Sequence, residues 1–346
     1  MKRELTSGSV MKNLLFFSLP YLLSFFLQTL YGMADLLIIG QFGSVADTTA
    51  VSVGSQVMHM LTVMIVGLAM GATVNIGQAV GGKDSRKAAL FTGNTVTLFM
   101  GLSVTLTFLL LILRNTIVSA VSTPADAAAG TVDYLTICFI GIPFITAYNI
   151  ISAVFRGMGD SKSPMYFIAV ACAANIALDY LFIGALGMGP AGAALGTTLS
   201  QAVSVVISLI FVKMRKTDFA LKKPDKQITG KILKIGVPVA MQDGFIQIAF
   251  MVITVIANRR GLNDAAAVGI VEKIIGFLFL VPSSMLSAVS ALGAQNIGAQ
   301  KPERARKTLL YAIFIAAGFG GTVAVIMQFL SGGAVSLFTD SAAVIR

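Results

Sequence analysis

Along the chain, long runs without charge alternate with short polar connections. Uncharged stretches cover residues 13–34, 48–82, 88–113, 134–155, 163–178, 180–212, 274–300 and 308–339. Most reach the ~20 residues that a helix needs to cross hydrocarbon, and the longest leave room for tilt or for two crossings. The alternating segments of ~10 residues that mark a membrane barrel are absent. The pattern predicts nine spanning helices, near 13–33, 50–76, 89–112, 132–155, 164–183, 191–212, 232–257, 266–292 and 307–329. The first apolar stretch runs on into the bundle instead of ending at a small-residue cleavage site, so the N-terminus is expected to be retained.

Composition agrees with this pattern. The 346 residues are 56% hydrophobic and 12% charged, with a mean hydropathy of +0.87, too apolar for a soluble core of this size. A net charge of +10 raises the question of nucleic acid, and the placement of the basic residues answers it. The N-terminus and the even-numbered connections hold 20 of the 25 Lys and Arg, including Lys83, Arg86, Lys87, Arg156, Lys162, the run Lys213 to Lys234, and Lys301 to Lys307. By the positive-inside rule the N-terminus is expected in the cytoplasm, and no nucleic-acid partner is expected. Cys138 and Cys172 lie within apolar spans without a second thiol at ligand spacing, which suggests packing rather than a disulfide or a zinc site.

The chain also repeats itself at an offset of 217 to 218 residues. Pro20 matches Pro238, Ala50-Val51 matches Ala267-Val268, and Gln78-Ala-Val-Gly81 matches Gln295-Asn-Ile-Gly298, each of the last pair preceding a basic loop. The expected fold is all-α and polytopic, with two parallel-repeat helical bundles. The first, residues 1–215, has six helices; a linker at 216–231 follows; the second, 232–346, is incomplete with about three. Leu337 to Ser341 aligns with Ala120 to Pro124, which places the end of the chain in a loop before three further helices. An even number of helices in the first unit keeps the second in the same orientation, with a two-fold axis along the membrane normal and a cavity between the halves.

Ionisable groups in hydrocarbon cost a few kcal/mol, so each needs a reason. Asp35 and Asp179 each lie 15 residues after a proline, Pro20 or Pro164, in spans that start on the same side, and are therefore expected at equal depth. Asn175 precedes Asp179 by one helical turn and shares its face. Thr197 lies roughly 10 Å into the sixth helix, at a similar depth. Two carboxylates, an amide and a hydroxyl at one depth would make an oxygen-rich nest for Na⁺, or a carboxylate pair able to carry a proton. Gln28, Asp243, Gln247 and Glu272 are candidates for a substrate cavity. His59, the only histidine, is expected to pack within its span. Pro143 and Pro282 lie inside predicted spans and are candidate hinges. Arg156-Gly-Met-Gly-Asp160 lacks the lysine and spacing of a phosphate loop and reads as a tight cytoplasmic turn.

These residues resemble the multidrug and toxic compound extrusion (MATE) transporters, most closely bacterial branches with an acidic site in the first bundle. The resemblance rests on Met33-Ala-Asp35 followed by Gly40-x-x-Gly43, on Gly77-Gln78, and on Phe155-Arg-Gly-Met-Gly-Asp160. Its most specific part is Asn175-Ile-Ala-Leu-Asp179 with Gly192-Ala-Ala-Leu-Gly-Thr197. It implies that Asp35, Asn175, Asp179 and Thr197 couple Na⁺ or H⁺ to the export of small cationic or amphipathic compounds by alternating access. It further implies a monomer in the bacterial cytoplasmic membrane with no other cofactor. Gly196 stands where the family often has alanine, which reads as a mild change. A lipid-linked oligosaccharide flippase of the related superfamily is the alternative, but would need cations in the cavity, and the predicted spans of the first bundle contain none. An inactive fragment of an exporter is a further alternative. An enzyme is not expected, since neither His-Glu-x-x-His nor Gly-x-Ser-x-Gly occurs.

Overall fold

The computed structural model describes residues 5–214 and 223–336. The chain runs through α1 (Val10–Phe42), α2 (Val45–Gly81), α3 (Ser85–Ala120), α4 (Ala125–Ile140), α5 (Ile142–Gly157), α6 (Lys162–Asp179) and α7 (Gly189–Met214). It continues through α8 (Lys226–Arg260), α9 (Leu262–Leu278), α10 (Leu280–Gly298) and α11 (Pro302–Ser336), and a π-helical turn, Tyr180–Ala185, extends α6. Eight helices among the described residues are long and apolar enough to cross a bilayer, or nine when α4 and α5, bent by 49° at their junction, count as one span. Residues 216–222 of the expected linker lie outside the described residues, and 226–231 form the first turns of α8. The alignment of Leu337 to Ser341 also lies outside them.

Local signals set the helix ends. Ser44 and Asp47 form a reciprocal capping box at the start of α2. Asp84 accepts from the Lys87 amide at the start of α3, and Asp225 from the Gln227 and Ile228 amides at the start of α8. The repeat seen in the sequence recurs in the backbone. Lys83 and Gln300, related by the same offset, both take φ 58° in the turns after α2 and α10. Lys83 N donates to Val80 O and Asp84 N to Ala79 O, while Gln300 N donates to Ile297 O and Lys301 N to Asn296 O. The same turn therefore stands at the same place in both units.

The candidate hinge prolines sit beside the two helix breaks. Pro143 occupies the first turn of α5, just after the break at Gly141, where its missing N–H costs nothing. Pro282 occupies the first turn of α10, just after the break at Phe279. Pro20 and Pro238, by contrast, lie inside unbroken helices.

The two units meet where small residues let backbones touch. A Cβ on Gly71 would overlap the Ile232 carbonyl, and one on Gly236 the Leu68 carbonyl. Nearer the loops, Gly81 abuts Gln295 O and Gly298 abuts Gln78 O. Polar bonds reinforce this seam: Asn75 Nδ2 donates to Lys231 O at 3.3 Å, and Gln295 Nε2 to Gly157 O at 2.8 Å. All these contacts lie toward the membrane face that carries the N-terminus. Toward the other face, Val252, Ile253, Val255 and Ile256 of α8 are exposed.

Candidate functional site

Three helices of the first unit bring the predicted polar residues together. Asp35 comes from α1, Asn175 and Asp179 from α6, and Thr197 from α7. Asp35 is 3% exposed, Asn175 1% and Asp179 0%, so water does not solvate them in this state. Thr197 Oγ1 donates to Asp35 Oδ2 at 3.1 Å. The side chains of Asp179 and Asn175 also face the Asp35 carboxyl. Yet Asp35 Oδ1, both Asp179 oxygens and both polar atoms of the Asn175 amide lack a hydrogen-bond partner. Each unmet buried polar group costs on the order of 1–3 kcal/mol, so five in one nest are not a resting arrangement of a structural core. A hard cation or a proton shared between the carboxyls supplies what these oxygens lack.

The local sequence explains the fit. Asn175 and Asp179 are one turn apart on α6, and the π-helical turn begins directly after Asp179, widening the backbone there. On α7, Gly196 leaves the space that the Asp179 carboxylate occupies, since a Cβ at that position would overlap Asp179 Oδ1. The absence of a methyl group here is therefore not the mild change expected from the sequence; it makes room for one of the carboxylates.

Sequence reasoning missed a second ring of residues. Tyr31, Tyr134 and Cys138 lie close enough to Asp35 to sense its charge. Thr198 Oγ1 and Gln201 Oε1, on α7 beside Thr197, are buried without partners. Gln201 lies one turn after Thr197, a spacing that was readable as the same helix face. Tyr134 and Cys138 come from α4, and no local pattern singles them out. Both cysteines are buried, as packing residues are.

The candidate cavity residues do not converge in the same way. Gln28 reaches Tyr148 inside the first unit. Asp243 lies at the seam, where a Cβ on Gly67 would come within 2.9 Å of its Oδ2. Glu272 accepts from Thr254 Oγ1 at 2.7 Å, while Gln247 is half-buried on α8. A shallow, open surface depression on α8 is lined by Pro238, Gln242, Phe245 and Ala249; Gln28, Asp243, Gln247 and Glu272 do not line it. His59 is exposed on α2 rather than packed within its span. Arg156 is a second departure. Helix α5 extends through it, and its side chain lines a small cavity between the units, so the first bundle does contribute a cation there.

A twice-repeated helical bundle with a buried, unsatisfied polar nest in one half and a seam between the halves defines a polytopic membrane transporter. The MatE family profile matches residues 20–181 and again 238–346, the two stretches beginning at the paired prolines and together covering more than half of the chain. The chain belongs to the MatE family, that of the MATE efflux transporters. It is 32% identical over 303 residues to the probable multidrug resistance protein YpnP of Bacillus subtilis, covering 87% of this chain and 68% of that protein. It is 25% identical over 353 residues to an FAD transporter of Shewanella oneidensis, covering 100% of this chain and 78% of that one. Its fold matches that of a solved outward-facing MATE-family transporter of the MOP superfamily with a TM-score of 0.89 at 24% identity, covering 98% of this chain and 77% of the other.

Proposed function

We propose that this chain is a cation-coupled antiporter that exports amphipathic small molecules, with Na⁺ or H⁺ bound at Asp35, Asn175, Asp179 and Thr197. The observation that carries the proposal is the set of five partnerless polar atoms in the nest, held around a carboxylate that only Thr197 satisfies. An ion bound there ties α1, α6 and α7 together, and loss of the ion leaves two carboxylates to repel one another.

Helix α1 gives that event a mechanical route. Its later half carries Asp35, while Leu14, Phe17 and Tyr21 in its earlier half pack on Met285, Ala288 and Leu292 of the second unit. Pro20 lies between Phe17 and Tyr21 and interrupts the hydrogen-bond ladder, so the two halves can bend relative to each other. Ion binding and substrate binding then oppose one another because each favours a different packing of the same seam. With basic loops in the cytoplasm, the closed end of the seam faces the cytoplasm and the exposed stretch of α8 faces outward.

The test is dye efflux from proteoliposomes containing the chain, with Na⁺ and pH gradients imposed separately. Efflux is expected to follow one of the two gradients, and Asp179→Asn is expected to abolish the dependence while the protein still inserts and folds. Efflux that proceeds unchanged in Asp179→Asn, or that ignores both gradients, would remove the coupling assignment.

A further inference from the structure

A second polar site lies in the seam, separate from the nest. It is a cavity of about 10 Å³, room for one water, walled by α1, α2 and α5 of the first unit and by Ser287 and Ser290 on α10 of the second. Arg156 enters it from the last turn of α5 and stacks over the Tyr21 ring, with its guanidinium carbon 5.4 Å from the ring centroid. Among the described residues no carboxylate or carbonyl pairs with that guanidinium, and its Nε is buried without a partner. The hydroxyl of Tyr21, in a residue 4% exposed, is also buried without a partner. Three other polar groups in the wall are occupied: Thr73 donates to Ala153 O at 3.0 Å, Asn149 Nδ2 to Ile145 O at 2.8 Å, and Ser290 to Leu286 O at 2.9 Å.

A cation and a hydroxyl that both lack acceptors, facing one cavity, describe a site for an anion. We propose that Arg156 and Tyr21 form a subsite for a carboxylate or phosphate group, borne by a transported amphiphile or by a lipid headgroup. As the cavity stands it admits about one water, so the anion enters when α10 moves away from α5 and uncovers the guanidinium. The fork of the guanidinium fits two oxygens of such a group, and the Tyr21 hydroxyl donates to a third or shares one of them. This site shares no residue with the nest, so it stands whichever ion drives transport.

The experiment is calorimetric titration of the chain in phosphatidylcholine nanodiscs with hexyl phosphate, and separately with hexyltrimethylammonium. Hexyl phosphate is expected to bind, with affinity falling about tenfold or more in Arg156→Gln and by a smaller factor in Tyr21→Phe. Arg156→Lys, which keeps the charge, is expected to retain part of the binding and guards against loss through misfolding. Competition by phosphatidylglycerol added to the discs assigns the anion to a lipid headgroup; lack of competition assigns it to a soluble solute. Either result upholds the site. Absence of hexyl phosphate binding, equal affinity in Arg156→Gln, or an equal loss of hexyltrimethylammonium binding in that variant would overturn it. Asp179→Asn removes a nest carboxylate but keeps Arg156 and Tyr21, so it is expected still to bind hexyl phosphate and to lose that binding when Arg156→Gln is added, which keeps failure of the coupling reading separable from failure of this one.

Discussion

At the scale of single residues, the nest depends as much on an absent methyl group as on the charges. Asp179 lies in the space beside Gly196, and the carboxylate has nowhere equivalent to go because it is fully buried. Gly196→Ala is therefore expected to push the Asp179 carboxyl aside, at an overpacking cost of about 1–3 kcal/mol, and to weaken ion binding. Ion-dependent thermal stabilisation of the variant is the measurement, and stabilisation equal to that of the parent would contradict the fit. The carboxylates themselves were legible in the sequence because charge in an apolar span is costly and helix rise fixes depth. Thr198, Gln201, Tyr134 and Cys138 were not, since a hydroxyl, an amide or a thiol in a span is common and acquires meaning only from its neighbours.

At the scale of elements, helix ends and breaks decide which groups meet. The break at Gly141 brings the α4–α5 junction so near α7 that a Cβ there would lie 2.7 Å from Thr198 Cγ2, directly beside the nest. Pro143 suggested a bend inside a span, and the bend stands two residues before it because proline is accommodated in a first turn and not mid-helix. A further element, the stretch before α1, binds the second unit. Arg304 donates to Gly8 O at 2.9 Å and to Ser7 O at 3.1 Å, and Lys301 Nζ to Thr6 O at 2.9 Å. Arg304→Ala is expected to release this stretch, with hydrogen exchange of amides 5 to 9 rising by about tenfold or more. Unchanged protection would mean that Lys301, Asn13 and the buried Leu5 side chain hold it without Arg304.

Across the whole molecule, the seam joins two copies of one design at one membrane face. Among its close approaches, Gly71 meets Ile232 and Gly236 meets Leu68, leaving no room for side chains at the contact. Gly71→Leu is expected to force the units apart, to lower the thermal midpoint, and to favour the state in which this end of the seam is open. Accessibility of a cysteine reporter at Thr73, compared between parent and variant, reads this directly. If accessibility and midpoint both stay the same, the seam is not the moving contact.

The sequence by itself determined the membrane class, the order of the apolar spans, the repeat, and the identity of the four polar residues that the fold brings together. Each of these follows from one-dimensional physics: the length of an apolar run, the cost of a buried charge, the rise of a helix, and a motif recurring at a fixed offset. The tertiary structure alone decided what lies between the units. It carried Arg156 into the seam against Tyr21, left His59 exposed, and fitted Asp179 into the space beside Gly196. The physical reason is that those relations join residues distant in sequence through helix crossing and rotation, which are set by packing against a neighbour and leave no periodic trace in either helix.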